Sequence, residues 1–381
     1  MSSYTDLNIP ASNSTVIVKA MNLAGSDSCV PASFFLEPVV PGSEGIPKPP
    51  FYSFLIEHST HGRVLFDLGI RKDSATVSVD TAGSEIAAVP KETGFSPAMQ
   101  GLLAYWASMD PKFKMTTNGD IAGHLKEGGV PLDSVKAVIW SHSHTDHIGD
   151  MSTFPASTNL VVGPGADLKT YPQFPEATLV EGDISGRKIE ELSFEDAKLR
   201  IAELDALDYF NDGSLYILNT PGHCPGHICA LARTTPDSFV FLGGDICHHP
   251  GQLRPTSALH AAFPCPSQVV ESARQHVSPA YFDPLDVDGK FNVKERATPM
   301  FDIGSANHPD IATAQASLKK ATTLDASPDI LTLIAHDAST TGVIDQFPLA
   351  LNGWKEKGWK ERLLWAFLDE KNLSFIFSEK E

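Results

Sequence analysis

Three imidazoles and a carboxylate fall within one hexapeptide, His142-Ser143-His144-Thr145-Asp146-His147. It follows directly on an apolar run, Val135-Lys136-Ala137-Val138-Ile139-Trp140, whose β-branched residues predict a buried strand. Side chains two apart at a strand end share a face, so His142 and His144 can point at one place. The turn that follows can carry Asp146 and His147 round to a second place close by. Nitrogen donors at one point and mixed nitrogen and oxygen donors at the next are what two adjacent divalent metal ions need. An exposed loop that is His-rich by chance would stand alone, whereas this one is echoed. Asn219-Thr220-Pro221-Gly222-His223-Cys224-Pro225-Gly226-His227 follows an apolar run at 215–218, and Leu242-Gly243-Gly244-Asp245 closes another at 239–242. Ile334-Ala335-His336-Asp337 follows a third at 330–333. Each puts a ligand-type side chain at the C-terminal edge of an apolar strand, where open sheets hold their sites.

The elements that must position these groups are short. Strand-like runs stand at 15–18, 51–56, 64–66, 135–140, 159–162, 199–204, 215–218, 228–232 and 239–242, with a last inner strand over 330–335. Helical spacing predicts helices over 96–109, 267–277, 311–322 and 354–369. Two strand-rich stretches with helices behind them predict an α/β fold, a four-layer αββα sandwich over 14–381, after a polar, loose leader over 1–13. Residues 70–115 and 248–305 are long, irregular and rich in Pro, Phe and Gly, which predicts insertions at the mouth of a site.

His-x-His-x-Asp-His, then Thr-Pro-Gly-His, then Gly-Asp, then a late His resembles the metallo-β-lactamase superfamily over roughly residues 14–340. Within it, Ala335-His336-Asp337 and the stretch 208–216 look most like the N-acyl-homoserine-lactone lactonase branch. The resemblance implies one metal on His142, His144 and His223, and a second on Asp146, His147 and His336, with Asp245 bridging both. Zinc is the default ion for such nitrogen and oxygen donors. Asp67 matches a family position beneath the site that orients a ligand. The implied reaction is attack of a metal-bound hydroxide on a small cyclic ester or amide (a lactone or lactam), with Asp146 steering the nucleophile and its proton. Thioester hydrolysis is the alternative, and iron-dependent oxidoreductase chemistry a more distant one. One departure stands out. Where the lactonases commonly carry a tyrosine three residues after the bridging aspartate, this chain has His248, followed by His249. His248 then replaces the tyrosine as a catalytic donor, marks a different substrate, or is with His249 a surface histidine of an insertion loop.

Other residues read more plainly. His227 is expected to be structural, and Cys224 and Cys247 to be small buried filler. Phe95, Tyr105, Trp106, Phe263, Tyr281 and Phe282 are expected to line an apolar pocket or to pack as core. His58, His61, His124, His260, His276 and His308 have no motif around them and read as ordinary.

Composition narrows the partners. Among 381 residues, 29 Lys+Arg against 47 Asp+Glu give a net charge of −18. Such a chain is repelled by nucleic acid and by anionic membrane surfaces, and a neutral, fairly apolar small substrate suits it better. No apolar run approaches the length of a membrane span, and the first residues lack the pattern of a secretory signal. The five cysteines are an odd count without framework spacing, which predicts free thiols and a cytoplasmic setting. The amphipathic segment 354–369 is expected to cover the outer sheet or to meet a second copy, which leaves room for a homodimer.

Overall fold

The computed structural model describes residues 4–72, 94–110, 112–305 and 308–379, so residues 73–93 of the first expected insertion lie outside the described residues. Two six-stranded sheets form the scaffold. The first holds β1 (Val16–Asn22), β2 (Tyr52–His58), β3 (Gly62–Phe66), β4 (Val135–Ile139), β5 (Asn159–Val162) and β6 (Ile189–Glu191), hydrogen-bonded in that order. The second holds β7 (Leu199–Ile201), β8 (Leu204–Asp208), β9 (Leu215–Asn219), β10 (Ile228–Thr235), β11 (Ser238–Leu242) and β12 (Ile330–Leu333), also in order.

Alternation along the strands builds the layers. Val16, Val18 and Ala20 of β1 and Phe54 and Ile56 of β2 face Leu215 and Ile217 of β9 and Ile228, Ala230 and Ala232 of β10, in one core between the sheets. The alternate residues point outward. Leu55, Leu65, Val138 and Leu160 pack on Ile121 and Leu125 of the helix Ile121–Glu127. Tyr216, Leu218, Leu231 and Phe241 pack with Ala314, Leu318 and Ala321 of the helix Ile311–Asp325. Helix, sheet, sheet and helix are therefore stacked as the sequence predicts.

Strand direction decides where a site can form. β3, β4 and β5 run parallel, as do β11 and β12, so their C-terminal ends gather at one edge of each sheet. The edge strand β1 is closed off from outside. Asn352 accepts from the Val18 N–H at 3.1 Å through Oδ1, and its Nδ2 donates to Val16 O at 2.8 Å and Thr234 O at 3.1 Å.

Three expectations need correction. The run 199–204 is not one strand: Ala202 and Glu203 take φ of +48° and +65°, turning β7 into β8 as a hairpin with no Gly or Asn to announce it. Only Trp359–Leu363 of 354–369 is α-helical, because Gly358 takes φ +61° and breaks the run, and Trp354 before it is buried in the core between the sheets. The leader is packed from Tyr4 onward: Leu7 and Ile9 are buried against the second sheet, and the Arg233 guanidinium donates to Pro10 O. Its apolar residues, not its overall polarity, decide its state.

The second insertion packs with the C-terminal segment. Phe282, Phe291 and Phe301 form a separate cluster with Phe367 and Phe377. Arg254 anchors it to the scaffold through a buried two-point pair with Asp325, at 2.7 and 2.8 Å.

Candidate metal centre

The parallel strand ends deliver the donors. β3 runs into Asp67 and β4 into Ser141 and His142, while β11 runs into Asp245 and β12 into His336. The two sheets are stitched here by Ile228 N–H to Ser141 O at 2.9 Å and, within the second, Ala335 N–H to Gly244 O at 3.0 Å. After His144 the chain makes a single helical turn, Thr145–Ile148, which swings Asp146 and His147 to the far side of His142. The turn is held by Leu68 N–H to His147 O at 2.7 Å and Gly149 N–H to Gly69 O at 2.9 Å. His223 arrives on the loop after β9, whose Gly222 at φ +125° lies so close to Ala314 that a Cβ would meet its backbone nitrogen at 2.1 Å. Glycine is required there.

All seven residues expected at the site converge, and Asp245 stands between two groups of them. Its Oδ2 lies 3.5 Å from both His142 Nε2 and His223 Nε2, while His223 Nε2 lies 3.0 Å from His144 Nδ1. Its Oδ1 lies 3.2 Å from His147 Nε2 and 3.1 Å from His336 Nε2, and Asp146 Oδ2 is 3.4 Å from that His336 nitrogen. His142, His144, His223 and Asp245 form one set that could hold an ion, and Asp146, His147 and His336 another.

The protonation pattern fits that use. The Pro50 carbonyl accepts from His336 Nδ1 at 2.9 Å, which turns Nε2 inward, where against the effect of burial the Asp245 and Asp146 carboxylates raise the ring above the ordinary imidazole range. Asp67 accepts from His147 Nδ1 at 2.8 Å and from Ser141 Oγ at 2.8 Å. Donating its own O–H to Asp67, Ser141 Oγ accepts from His142 Nδ1 at 2.9 Å, so His142 Nε2 is bare. Yet His142 Nε2 and His223 Nε2 lie only 3.2 Å apart, and His147 Nε2 and Asp245 Oδ1 are buried without a hydrogen bond. Lone pairs aimed at each other in a buried place call for a cation. Burial pushes His142 and His223 well below the ordinary imidazole range. At His147 burial acts the same way, but Asp245, Asp67 and Asp146 outweigh it and raise the ring well above that range.

The neighbours fall into distinct places. His227 is buried, donates from Nδ1 to Thr220 O at 2.9 Å and accepts the Asp245 N–H on Nε2 at 3.1 Å, so it holds the backbone of the central carboxylate. Burial drives it down to about 4, which keeps Nε2 an acceptor. Cys224 and Cys247 are buried thiols pushed up by burial, Cys224 to about 12. His248 and His249 are not surface residues. His248 Nε2 lies 3.2 Å from Asp245 Oδ2, and its ring stacks on Phe35 with centroids 4.0 Å apart. His249 is structural, bonded to Gly251 N–H and Ser374 O. His308, which the sequence left as ordinary, packs against His223 and His248 at centroid distances of 4.9 and 5.5 Å. The stretch 208–216 does not reach the histidines around Asp245; its Asp212 pairs with His58 Nε2 at 2.8 Å instead. Asp208 and Asp212 there accept backbone N–H groups of the β8–β9 turn, at the opposite end of β9 from His223.

A cavity of about 900 Å³, its open mouth included, rises over His144, Asp146, Asp245, His248 and His336. Its walls are apolar: Phe34, Phe35, Phe51 and Phe113, with Met99, Leu102 and Trp106 from the helix Pro97–Met109 of the first insertion. Of the aromatics singled out from sequence, only Trp106 lines it. Phe95 and Phe282 are core, and Tyr105 and Tyr281 are exposed. Phe34 and Phe35 carried no signal, since nothing near them in sequence points to a site. Among the described residues no helix is long and apolar enough to cross a membrane, and all five cysteines are free thiols.

Comparison with known proteins agrees with this geometry. The model of the metallo-beta-lactamase superfamily matches residues 52–327. A gamma-lactamase of Fusarium pseudograminearum (strain CS3096) is 38% identical over 377 residues, spanning 94% of this chain and 83% of its own length. A metallo-hydrolase of Annulohypoxylon moriforme is 36% identical, over 96% of this chain and 89% of that protein. The solved structure of a quorum-quenching N-acyl homoserine lactone lactonase superposes with a TM-score of 0.52, covering 89% of this chain and 99% of that one, at 16% identity, a likeness of fold. A match over most of the length, on a scaffold whose parallel strand ends gather histidines around one aspartate, leaves one conclusion: the chain belongs to the metallo-beta-lactamase superfamily.

Proposed function

We propose that this chain is a hydrolase that holds two divalent metal ions and opens a small cyclic amide or ester, with a five-membered lactam as first choice. One observation carries the reading: Asp245 offers Oδ2 to His142 and His223 and Oδ1 to His147 and His336, all within 3.5 Å. A carboxylate shared in this way between two nitrogen sets suits a pair of ions a few ångströms apart. His142, His144 and His223 would hold one ion, Asp146, His147 and His336 the other, and Asp245 both. Zinc suits these donors. When bound, the ions would polarise a carbonyl oxygen and lower the pKa of a water from about 15.7 toward neutrality.

The chain's own groups do the rest. Asp146, only partly buried, is the carboxylate open to the cavity and can take and return a proton. His248 Nε2 faces the same space from the Oδ2 side of Asp245, where a leaving nitrogen would need a proton. The apolar walls exclude water and accept the uncharged remainder of a substrate. The name of the Fusarium relative, a gamma-lactamase, favours the amide over the ester.

Elemental analysis of the purified protein beside a panel of lactams, lactones and thioesters tests the reading. The expected result is two zinc ions per chain and turnover of a lactam or lactone. Asp245→Ala and His144→Ala should each lose bound metal and lower kcat/KM by more than about 10³-fold. Full turnover with the metal gone, or a single iron per chain, would overturn it, and faster thioester turnover would replace the substrate class.

A further inference from the structure

A histidine that binds a metal through one nitrogen normally has the other held by an outer partner, which fixes ring orientation and tautomer. His142, His147 and His336 have theirs in Ser141, Asp67 and the Pro50 carbonyl. His223 has none: its Nε2 faces His142 and His144, and its Nδ1 is buried without a hydrogen bond. The ring packed beside it is His308, buried, with centroids 4.9 Å apart and planes at 68°. Ring nitrogens of His223, His248 and His308 all lie within 4.8 Å of one another.

The tautomer of His308 is set from outside. Its Nδ1 is 2.9 Å from the Gly304 carbonyl, which only accepts, so Nδ1 carries the proton and Nε2 carries a lone pair. That Nε2 is also buried without a partner. An unpartnered ring nitrogen of His223 thus stands beside an unmet acceptor on His308, with a ring nitrogen of each within 4.8 Å of the other. Both histidines also hang on the same helix. His308 immediately precedes Ile311–Asp325, and the His223 loop docks on that helix through Gly222 against Ala314 and Ser317 Oγ to Pro221 O at 2.8 Å.

We infer that His308 is a positioning residue of the His142–His144–His223 site: its Nε2 accepts the Nδ1 proton of His223, directly or through one water, and so keeps His223 Nε2 bare for an ion. The inference rests on the two-ion reading above. His248, whose Nδ1 is likewise buried without a hydrogen bond, borders the same pair, so His308 connects the metal side of the site to its cavity side.

The test compares the whole protein with His308→Phe, which keeps a ring but removes the acceptor, and with His308→Gln, which restores an acceptor oxygen. His308→Leu serves in place of the phenylalanine variant if that one does not fold. Zinc stoichiometry is measured through a chelator series, and the cobalt(II)-substituted protein is followed by its visible spectrum. His308→Phe should bind one of two ions 10- to 100-fold more weakly, taking a typical outer-partner loss as guide. Its cobalt bands should shift, and His308→Gln should recover most of the affinity. Equal affinity and an unchanged spectrum in His308→Phe, with two ions still bound by the wild type, overturn this inference alone. Three ions in the wild type and two in His308→Phe also overturn it, since His308 would then be a ligand. A wild type that binds no metal removes the two-ion reading, and this inference with it.

Discussion

At the scale of single residues, the groups that set the site are mostly those that touch its histidines from behind. Asp67 sits at φ +61° to accept from Ser141 N–H, Ser141 Oγ and His147 Nδ1, at 2.6, 2.8 and 2.8 Å. The seven donors were legible in the sequence because strand-end position and residue type are both local properties. Asp67 was visible only through family resemblance. Ser141 and His308 were not visible at all, because each owes its place to partners distant along the chain. His248 was legible as a departure, and its surroundings give that departure a use. Phe35 stacks on one face and Gln252 Oε1 accepts its backbone N–H at 2.7 Å, so the ring is fixed in direction, with Nε2 3.2 Å from Asp245 Oδ2 and Nδ1 without a hydrogen bond. His248→Ala should therefore lower kcat about 10²-fold while leaving metal content unchanged. Steady-state kinetics beside elemental analysis checks this, and equal kinetics would make His248 a wall of the cavity.

Among elements, most strands were read in place, since alternating burial is written in alternating residue types, but β1 runs on to Asn22 beyond the expected 15–18 and β6 (Ile189–Glu191) was not foreseen. The misreadings have two causes. Ala202 and Glu203 carry no turn signal and tertiary packing decides their backbone, while in 354–369 the signal was there in Gly358, which takes φ +61°. The opposite case is Gly222, whose need for glycine is spatial. A methyl group there would strike the Ala314 backbone nitrogen at 2.1 Å, in a conformation that L side chains rarely adopt. Backbone cannot swing aside as a flexible side chain does, so Gly222→Ala should cost about 2–4 kcal/mol and displace the His223 loop from the helix Ile311–Asp325. A lower thermal midpoint together with loss of one bound ion is the expected result. A wild-type midpoint would show that the loop and helix separate freely.

For the molecule as a whole, segments near both ends of the described residues are tied into the sandwich. Leu7 and Ile9 lie in the outer core with Phe239 and Leu324, and Trp354 and Trp359 lie in the core between the sheets. Removing residues 1–10 should cost about 3–6 kcal/mol, since two aliphatic side chains contribute roughly 1.5–3 kcal/mol each when buried. A lowered urea midpoint with an unchanged slope would show it, and an unaltered midpoint would mean that the leader is dispensable. The attachment of Asn352 to β1 has a consequence of another kind. A terminal strand with Ile17 facing outward is a template on which a stranger's backbone could lengthen the sheet, molecule after molecule, into a fibre. By occupying the Val18 N–H and the Val16 carbonyl, one side-chain amide removes the first two rungs of that ladder and helps the protein stay dispersed when concentrated.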